Sequence, residues 1–310
     1  MLTIFACPKH FTDPHIAVIQ RNAITSWTLI HPPCEIILFG DDEGTAEVAR
    51  EFGVRHVPEV ARNEFGTPLV NDLFERAQRL ALHDHLCYVN ADIILMSDFP
   101  EAVQRVASQM YRFLMVGKRR NIELREPIGF ATKWEERLRS YACEYGQLDS
   151  WGAIDYFVFS REIWGKIPPF AIGRNAWDNW LIYGARAQRV PVIDATNTVM
   201  AIHQNHDYSH VPVEAGSAIK GPEARRNLEL IGGQVRAFTM RDATHLLIRG
   251  RVERALGLEH LSRYLATTSI LHPRLALLGW IMNQVMTLSR PVRLALGITL
   301  SAGELKEDAK

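Results

Sequence analysis

Tyr88-Val89-Asn90-Ala91-Asp92-Ile93-Ile94-Leu95 is an apolar stretch broken once, by an amide and a carboxylate two residues apart. It lies within a longer run, Leu86 to Met96, that reads as a strand with a polar interruption. Burying an ionised carboxylate in such surroundings is costly unless it is paired or bound to a metal. Side chains two apart on a strand share a side. Asn90 and Asp92 are therefore expected to address one cation together. Hard oxygen ligands of this kind suit Mn²⁺ or Mg²⁺, which commonly also reach a diphosphate. An Asp that merely caps a turn is the plainer alternative.

Working outward, the N-terminal side alternates short apolar runs with helical periodicity. Leu2 to Cys7 reads as a buried strand, and His15 to Leu29 repeats apolar residues at three and four positions. Glu35 to Gly40 is a second strand, Gly44 to Phe52 a helix stopped at Gly53, Val54 to Val57 a third strand and Leu69 to His83 a helix. On the C-terminal side, strands are expected at Phe113 to Gly117, Asp155 to Ser160, Val190 to Asp194 and Val199 to His203. Helices are expected at Lys133 to Tyr145 and Asn175 to Ala187. Strands alternating with helices imply parallel βαβ units. In such sheets ligands bind beyond the carboxyl ends of the strands. The polar residues fall at those ends: Pro8 and Lys9, Asp41 and Asp42, Asn90 and Asp92.

Three further groups carry candidate chemistry. His203, His206 and His210, with Asp207, offer imidazoles that complete a divalent site, or form only a solvated loop. Trp151, Asp155, Trp177, Asp178 and Trp180 combine aromatic faces and carboxylates suited to a sugar. Asp178 is either a general base for an acceptor hydroxyl or a helix cap. Lys9, Arg21, Asn22 and Asp41 are placed to meet a phosphate or a nucleobase, although Arg21 is equally a surface charge.

The chain has 310 residues and no net charge, which argues against a nucleic-acid partner. Its four cysteines show no CxxC or zinc spacing and read as small core residues. No signal peptide and no spanning helix is visible, so a cytoplasmic setting is expected. From about Asp242 the pattern reads as helical to the end. The apolar stretch His272 to Leu300 is interrupted by Arg274, Arg290 and Arg293. Helices packed on the main domain are the bland reading. Peripheral contact with the inner membrane face is the sharper one. The tail from Gly303 is expected to be disordered.

Cys7-Pro8-Lys9, Gln20 to Trp27, Leu38-Phe39-Gly40-Asp41-Asp42, Tyr88 to Ile94 and Trp177-Asp178-Asn179-Trp180 together resemble nucleotide-diphospho-sugar transferases of the GT-A fold, over roughly residues 1–240. The resemblance implies an α/β, Rossmann-like and mostly parallel sheet with flanking helices, followed by a helical extension over 241–310. It implies a glycosyltransferase that uses a nucleotide-diphosphate sugar donor, a divalent cation and a glycan, lipid or other hydroxyl acceptor. Asn90-Ala91-Asp92 takes the family's DxD position, with an amide replacing the first carboxylate. Asp92 is then the metal ligand, and His203 or His206 matches a further one. Pro8, Lys9, Arg21, Asp41, Asn90 and Ala91 fall where the nucleotide binds, and Asp155 and Asp178 where sugar or acceptor is met. A catalytically silent sugar- or nucleotide-binding scaffold and a nucleotidyltransferase are the alternatives. The second lacks the Gly-rich basic loop it needs after the first strand.

Overall fold

The computed structural model describes residues 2–206, 220–233, 236–272, 274 and 277. The first half follows the expected alternation. Strand β1 (Leu2–Ala6) leads to α1 (Pro14–Thr28), β2 (Glu35–Phe39), α2 (Thr45–Glu51), β3 (Arg55–Val57), α3 (Val70–Leu80) and β4 (His85–Val89). Asp13 caps α1, its carboxylate accepting from the His15 and Ile16 amides at 2.8 and 2.9 Å. Pro14 then starts the helix where a missing N–H costs nothing.

Strand β1 pairs in parallel with both β2 and β4. The chain winds outward from β1 to β3, and α3 then returns it to the other side of β1. The carboxyl ends of β1 and β4 therefore flank a topological switch point, where open α/β sheets bind ligands.

After β4 come β5 (Ile93–Ile94), α4 (Asp98–Ala107), β6 (Leu114–Val116), β7 (Arg119–Ile122), α5 (Trp134–Tyr145), β8 (Gln147–Leu148) and β9 (Tyr156–Ser160). Then follow α6 (Trp177–Ala187), β10 (Val192–Asp194), β11 (Ala201–Gln204), α7 (Pro222–Leu230), β12 (His245–Ile248) and β13 (Arg251–Arg254). The main sheet has nine strands in the order β13-β12-β10-β6-β9-β4-β1-β2-β3. It is parallel from β3 to β4 and across β6, β10 and β12, whereas β9 runs antiparallel between β4 and β6. A second sheet, β5-β11-β7-β8, lies beside it. The α/β, mostly parallel arrangement implied by the sequence is the one observed.

Both faces of the main sheet are covered, which is why β1 is buried at every position. On one side Phe5, Phe74, Tyr88 and Phe159 pack with ring centroids 5.2 to 6.1 Å apart. On the other, Trp27 of α1 is fully buried and donates its indole N–H to the Ile93 carbonyl at 2.9 Å. Each such aromatic contributes roughly 1.5–3 kcal/mol through burial.

Some expectations are corrected. Residues 245–254 form a hairpin that extends the main sheet, so the chain is not helical from Asp242. The first compact unit runs to Ala255. The break at Asn90-Ala91-Asp92 divides the expected strand into β4 and β5, which belong to different sheets. In the second unit, helix α8 (Leu258–Leu271) is present, with Leu258, Leu261 and Tyr264 exposed. Among the described residues no helix is long and apolar enough to cross a membrane. Most of His272 to Leu300, and the tail from Gly303, lie outside the described residues.

Candidate active site

The carboxyl ends of β1 and β4 open on a cavity of about 600 Å³. Pro8 and Lys9 follow β1, Asn90, Ala91 and Asp92 join β4 to β5, and all five line it. Asp155 reaches the same edge because β9 is antiparallel. Val89 pairs with Tyr156, so the residue entering β9 meets the residue leaving β4. The Asn90 amide accordingly donates to the Asp155 carbonyl at 2.9 Å. His203 arrives on β11, paired with Ile93 of β5, and His206 follows.

Asp92, His203 and His206 offer ligand atoms that all lie within 4.8 Å of one another. His206 Nε2 stands 3.1 Å from Asp92 Oδ2 and 3.3 Å from Lys9 Nζ. One ring nitrogen cannot both donate to the carboxylate and accept from the ammonium. Asp92 Oδ1 and His203 Nδ1 are buried and have no hydrogen-bond partner among the described residues. A divalent cation taken up by Asp92 and the two imidazoles would remove the conflict at His206 Nε2 and give Asp92 Oδ1 a partner; His203 Nε2, 3.8 Å from Asp92 Oδ2, faces the same point, so the donor set fits a metal. Burial alone would raise the Asp92 carboxyl. His203, His206 and Lys9 outweigh it and hold the group well below its ordinary range. Burial pushes Lys9 and His203 down, each opposed by Asp92.

Asn90 does not join this set. Its Oδ1 accepts from the Tyr88 hydroxyl at 2.8 Å, and its Nδ2 donates to Asp155 Oδ1 at 2.6 Å. Asp155 Oδ2 takes Arg119 Nη1 at 2.8 Å, and Arg119 Nε donates to Asp149 at 3.0 Å. Asn90 and Asp92 thus turn to different partners, Asn90 to Tyr88 and Asp155 and Asp92 to the histidines, and not to one side as strand alternation implied. The strand ends at Val89, and two-residue alternation no longer governs the loop beyond it.

Asp178 lies in the first turn of α6, after the cap residue Ala176, so it is not the helix cap. It lines the cavity, and burial pushes its carboxyl up to about 7, with Asp155 adding to the effect. Trp177 packs edge-on against Tyr88 at 5.3 Å and also lines the cavity. Trp180 packs at a tilt against Phe170 instead, with ring centroids 5.7 Å apart.

Other candidates are used elsewhere. Arg21 pairs with Glu51 at 3.1 Å on the surface. Asp41 is exposed and pairs with Arg62, whereas Asp42 and Arg62 themselves line the cavity. Asn22 is buried, donating to Gln204 at 2.9 Å, and is structural. Trp151 carries Lys118 over its ring at 3.8 Å. Asp207 and His210 lie outside the described residues. The sequence reading missed Arg62, Arg119 and Arg174. Arg119 follows the expected strand Phe113 to Gly117, so the strand-end rule that found Lys9 applies to it as well. Arg174 carries no such signal.

No protein-family model matches the sequence, and no curated protein matches it. Among solved structures, glucosyl-3-phosphoglycerate synthase from Mycobacterium tuberculosis in complex with Mg²⁺ and UDP is similar with a TM-score of 0.43 and 16% identity, over 76% of this chain and 79% of that one. S. aureus TarS 1-349 in complex with UDP-GlcNAc is similar with a TM-score of 0.46 and 8% identity, over 87% and 80%. Resemblance at this level leaves the chemistry to be judged from the side chains of the site.

Proposed function

We propose that the protein is a glycosyltransferase that moves a sugar from a nucleoside-diphosphate donor to a hydroxyl acceptor. The observation that carries this reading is the cluster of Asp92, His203, His206 and Lys9 at the switch-point crevice, in one cavity with a carboxyl poised near 7.

Asp92, His203 and His206 would hold the divalent cation, and two nitrogen donors favour Mn²⁺ over Mg²⁺. Bound there, it would neutralise charge developing on the departing diphosphate. Lys9 adds a second positive group at the same place, already in position before the reaction. Asp42 and Arg62 line the cavity beyond β2 and suit the nucleobase. Asp178 takes the proton of the acceptor hydroxyl as its oxygen bonds to the anomeric carbon. The bond from that carbon to the diphosphate oxygen breaks, and the electron pair leaves with the diphosphate. A base placed on the far side of the sugar gives inversion. A carboxyl titrating near 7 is matched to this task at neutral pH.

Donor turnover is the test. Purified protein with Mn²⁺ and a set of nucleotide sugars is assayed for released nucleoside diphosphate, and the anomeric product is read by NMR. Release from donors of one base, abolished in Asp92→Ala, is expected. Binding of a nucleotide without any turnover would favour the silent scaffold.

A further inference from the structure

We infer that Asn90 serves the sugar end of the cavity and not the cation. Through Asp155 it fixes Arg119, whose remaining N–H donates to a hydroxyl of the bound sugar. The inference rests on the transferase reading.

The Asn90 side chain is already engaged at both ends, by the Tyr88 hydroxyl at 2.8 Å and by Asp155 at 2.6 Å. These two bonds spend one lone pair of its carbonyl oxygen on Tyr88 and hold the side chain against Asp155, while Asp92 turns to the histidines. The same distances account for the amide at this position. A carboxylate at residue 90 would face the Asp155 carboxylate across 2.6 Å, where two ionised oxygens repel. An amide N–H₂ turns that spacing into a charge-assisted hydrogen bond.

Asp155 is buried, and Asn90 and Arg119 divide its two oxygens. Arg119 is then gripped on two edges, by Asp155 through Nη1 and by Asp149 through Nε. Asp149 is itself fixed by Asn121 Nδ2 at 2.8 Å. Among the described residues, Arg119 Nη2 makes no hydrogen bond, and the residue lines the cavity. A planar guanidinium held in this way presents its last donors with little entropy left to lose. The chain Tyr88-Asn90-Asp155-Arg119 also begins against Trp177, next to Asp178. It therefore belongs to the side of the cavity assigned to the sugar. Arg119 is the substrate-contacting group and Asn90 its positioning residue.

Isothermal titration calorimetry on the full chain tests this with three probes: Mn²⁺ alone, UDP or GDP with Mn²⁺, and UDP-glucose or GDP-mannose with Mn²⁺. In Asn90→Ala and Arg119→Lys, affinity for Mn²⁺ and for the diphosphate is expected to stay within about twofold of wild type. Affinity for the nucleotide sugar should fall about tenfold, as for loss of a hydrogen bond to a charged group. Asn90→Ser, checked by thermal melting, guards against a misfolded alanine variant. Weakened binding of Mn²⁺ alone in Asn90→Ala, comparable to Asp92→Ala, would overturn the inference by making Asn90 a ligand. Equal losses for the diphosphate and the nucleotide sugar, or no loss for either, would overturn it too. A wild type that binds none of the four nucleotides removes the transferase reading and this inference together. A wild type that binds, with unchanged variants, removes this inference alone.

Discussion

Asp92 Oδ2 and His206 Nε2, 114 residues apart in the chain, stand 3.1 Å from each other in the cavity wall. The contact is held from below. Strand β11 pairs with β5 directly after Asp92, and the Gln204 side chain donates to the carbonyls of Ile19 at 2.8 Å and Asp92 at 3.1 Å. His203→Ala and His206→Ala should each weaken Mn²⁺ binding by more than about tenfold, because even outer partners of metal ligands are worth that much. Titration of Mn²⁺ followed by EPR measures this. Unchanged affinity in either variant would remove that histidine from the ligand set.

Asp178→Asn should lower kcat by roughly 10²–10⁴-fold with little change in KM, the usual range for a lost general base. In the wild type, kcat/KM should rise with pH through about 7, where the carboxyl loses its proton. The variant should lack that limb.

The same shift bears on stability. Asp178 is raised in the folded protein from an ordinary 3.8 to about 7, so between those values the folded state holds a proton that the unfolded state has released. Stability from this group is complete below about 4 and is lost as pH rises through about 7. Asp178 is partly exposed, so the effect is on the order of 1–3 kcal/mol. Thermal melting across this window should show the wild type losing ground to Asp178→Asn as pH rises.

Gly117 leaves room for the buried Tyr156 hydroxyl, which has no hydrogen-bond partner among the described residues. A Cβ at 117 would collide with that oxygen. Gly117→Ala should cost about 1–3 kcal/mol. Tyr156→Phe should cost little, since it removes an unsatisfied group. The double variant should recover part of the loss, as read by denaturant unfolding.

Glu223 on α7 is buried, pairs with Arg174 at 2.7 Å and accepts from Asn63 at 2.6 Å. It thereby ties together two loops of the cavity wall. Glu223→Ala leaves the guanidinium without its partner and should cost about 3–5 kcal/mol in chemical denaturation.

The alternation from Leu2 to Val89 was legible because β1, β2 and β4 are short, largely buried apolar runs and the helices between them show apolar periodicity. Asp92 and Lys9 were legible as polar residues at strand ends, and His203 and His206 as members of a histidine cluster. Three features were not. The direction of β9 is a tertiary choice, yet it alone brings Asp155 to Asn90. The side-chain orientation of Asn90 follows from that neighbour and from Tyr88, and not from strand alternation. The hairpin at residues 245–254 carries Arg251, Glu253 and Arg254 on an exposed edge strand, where a hydrophobic pattern is weak.

Whether Asp92 and its two histidines hold a cation for a nucleoside diphosphate is read from the thermal stability of wild type and Asp92→Ala with a panel of nucleoside diphosphates, with and without Mn²⁺. A ligand at about 100 times its dissociation constant adds about 2.7 kcal/mol of stability. A shift of that order is expected for one base, dependent on Mn²⁺ and lost in the variant. No shift with any nucleotide, or an equal shift in Asp92→Ala, would contradict it.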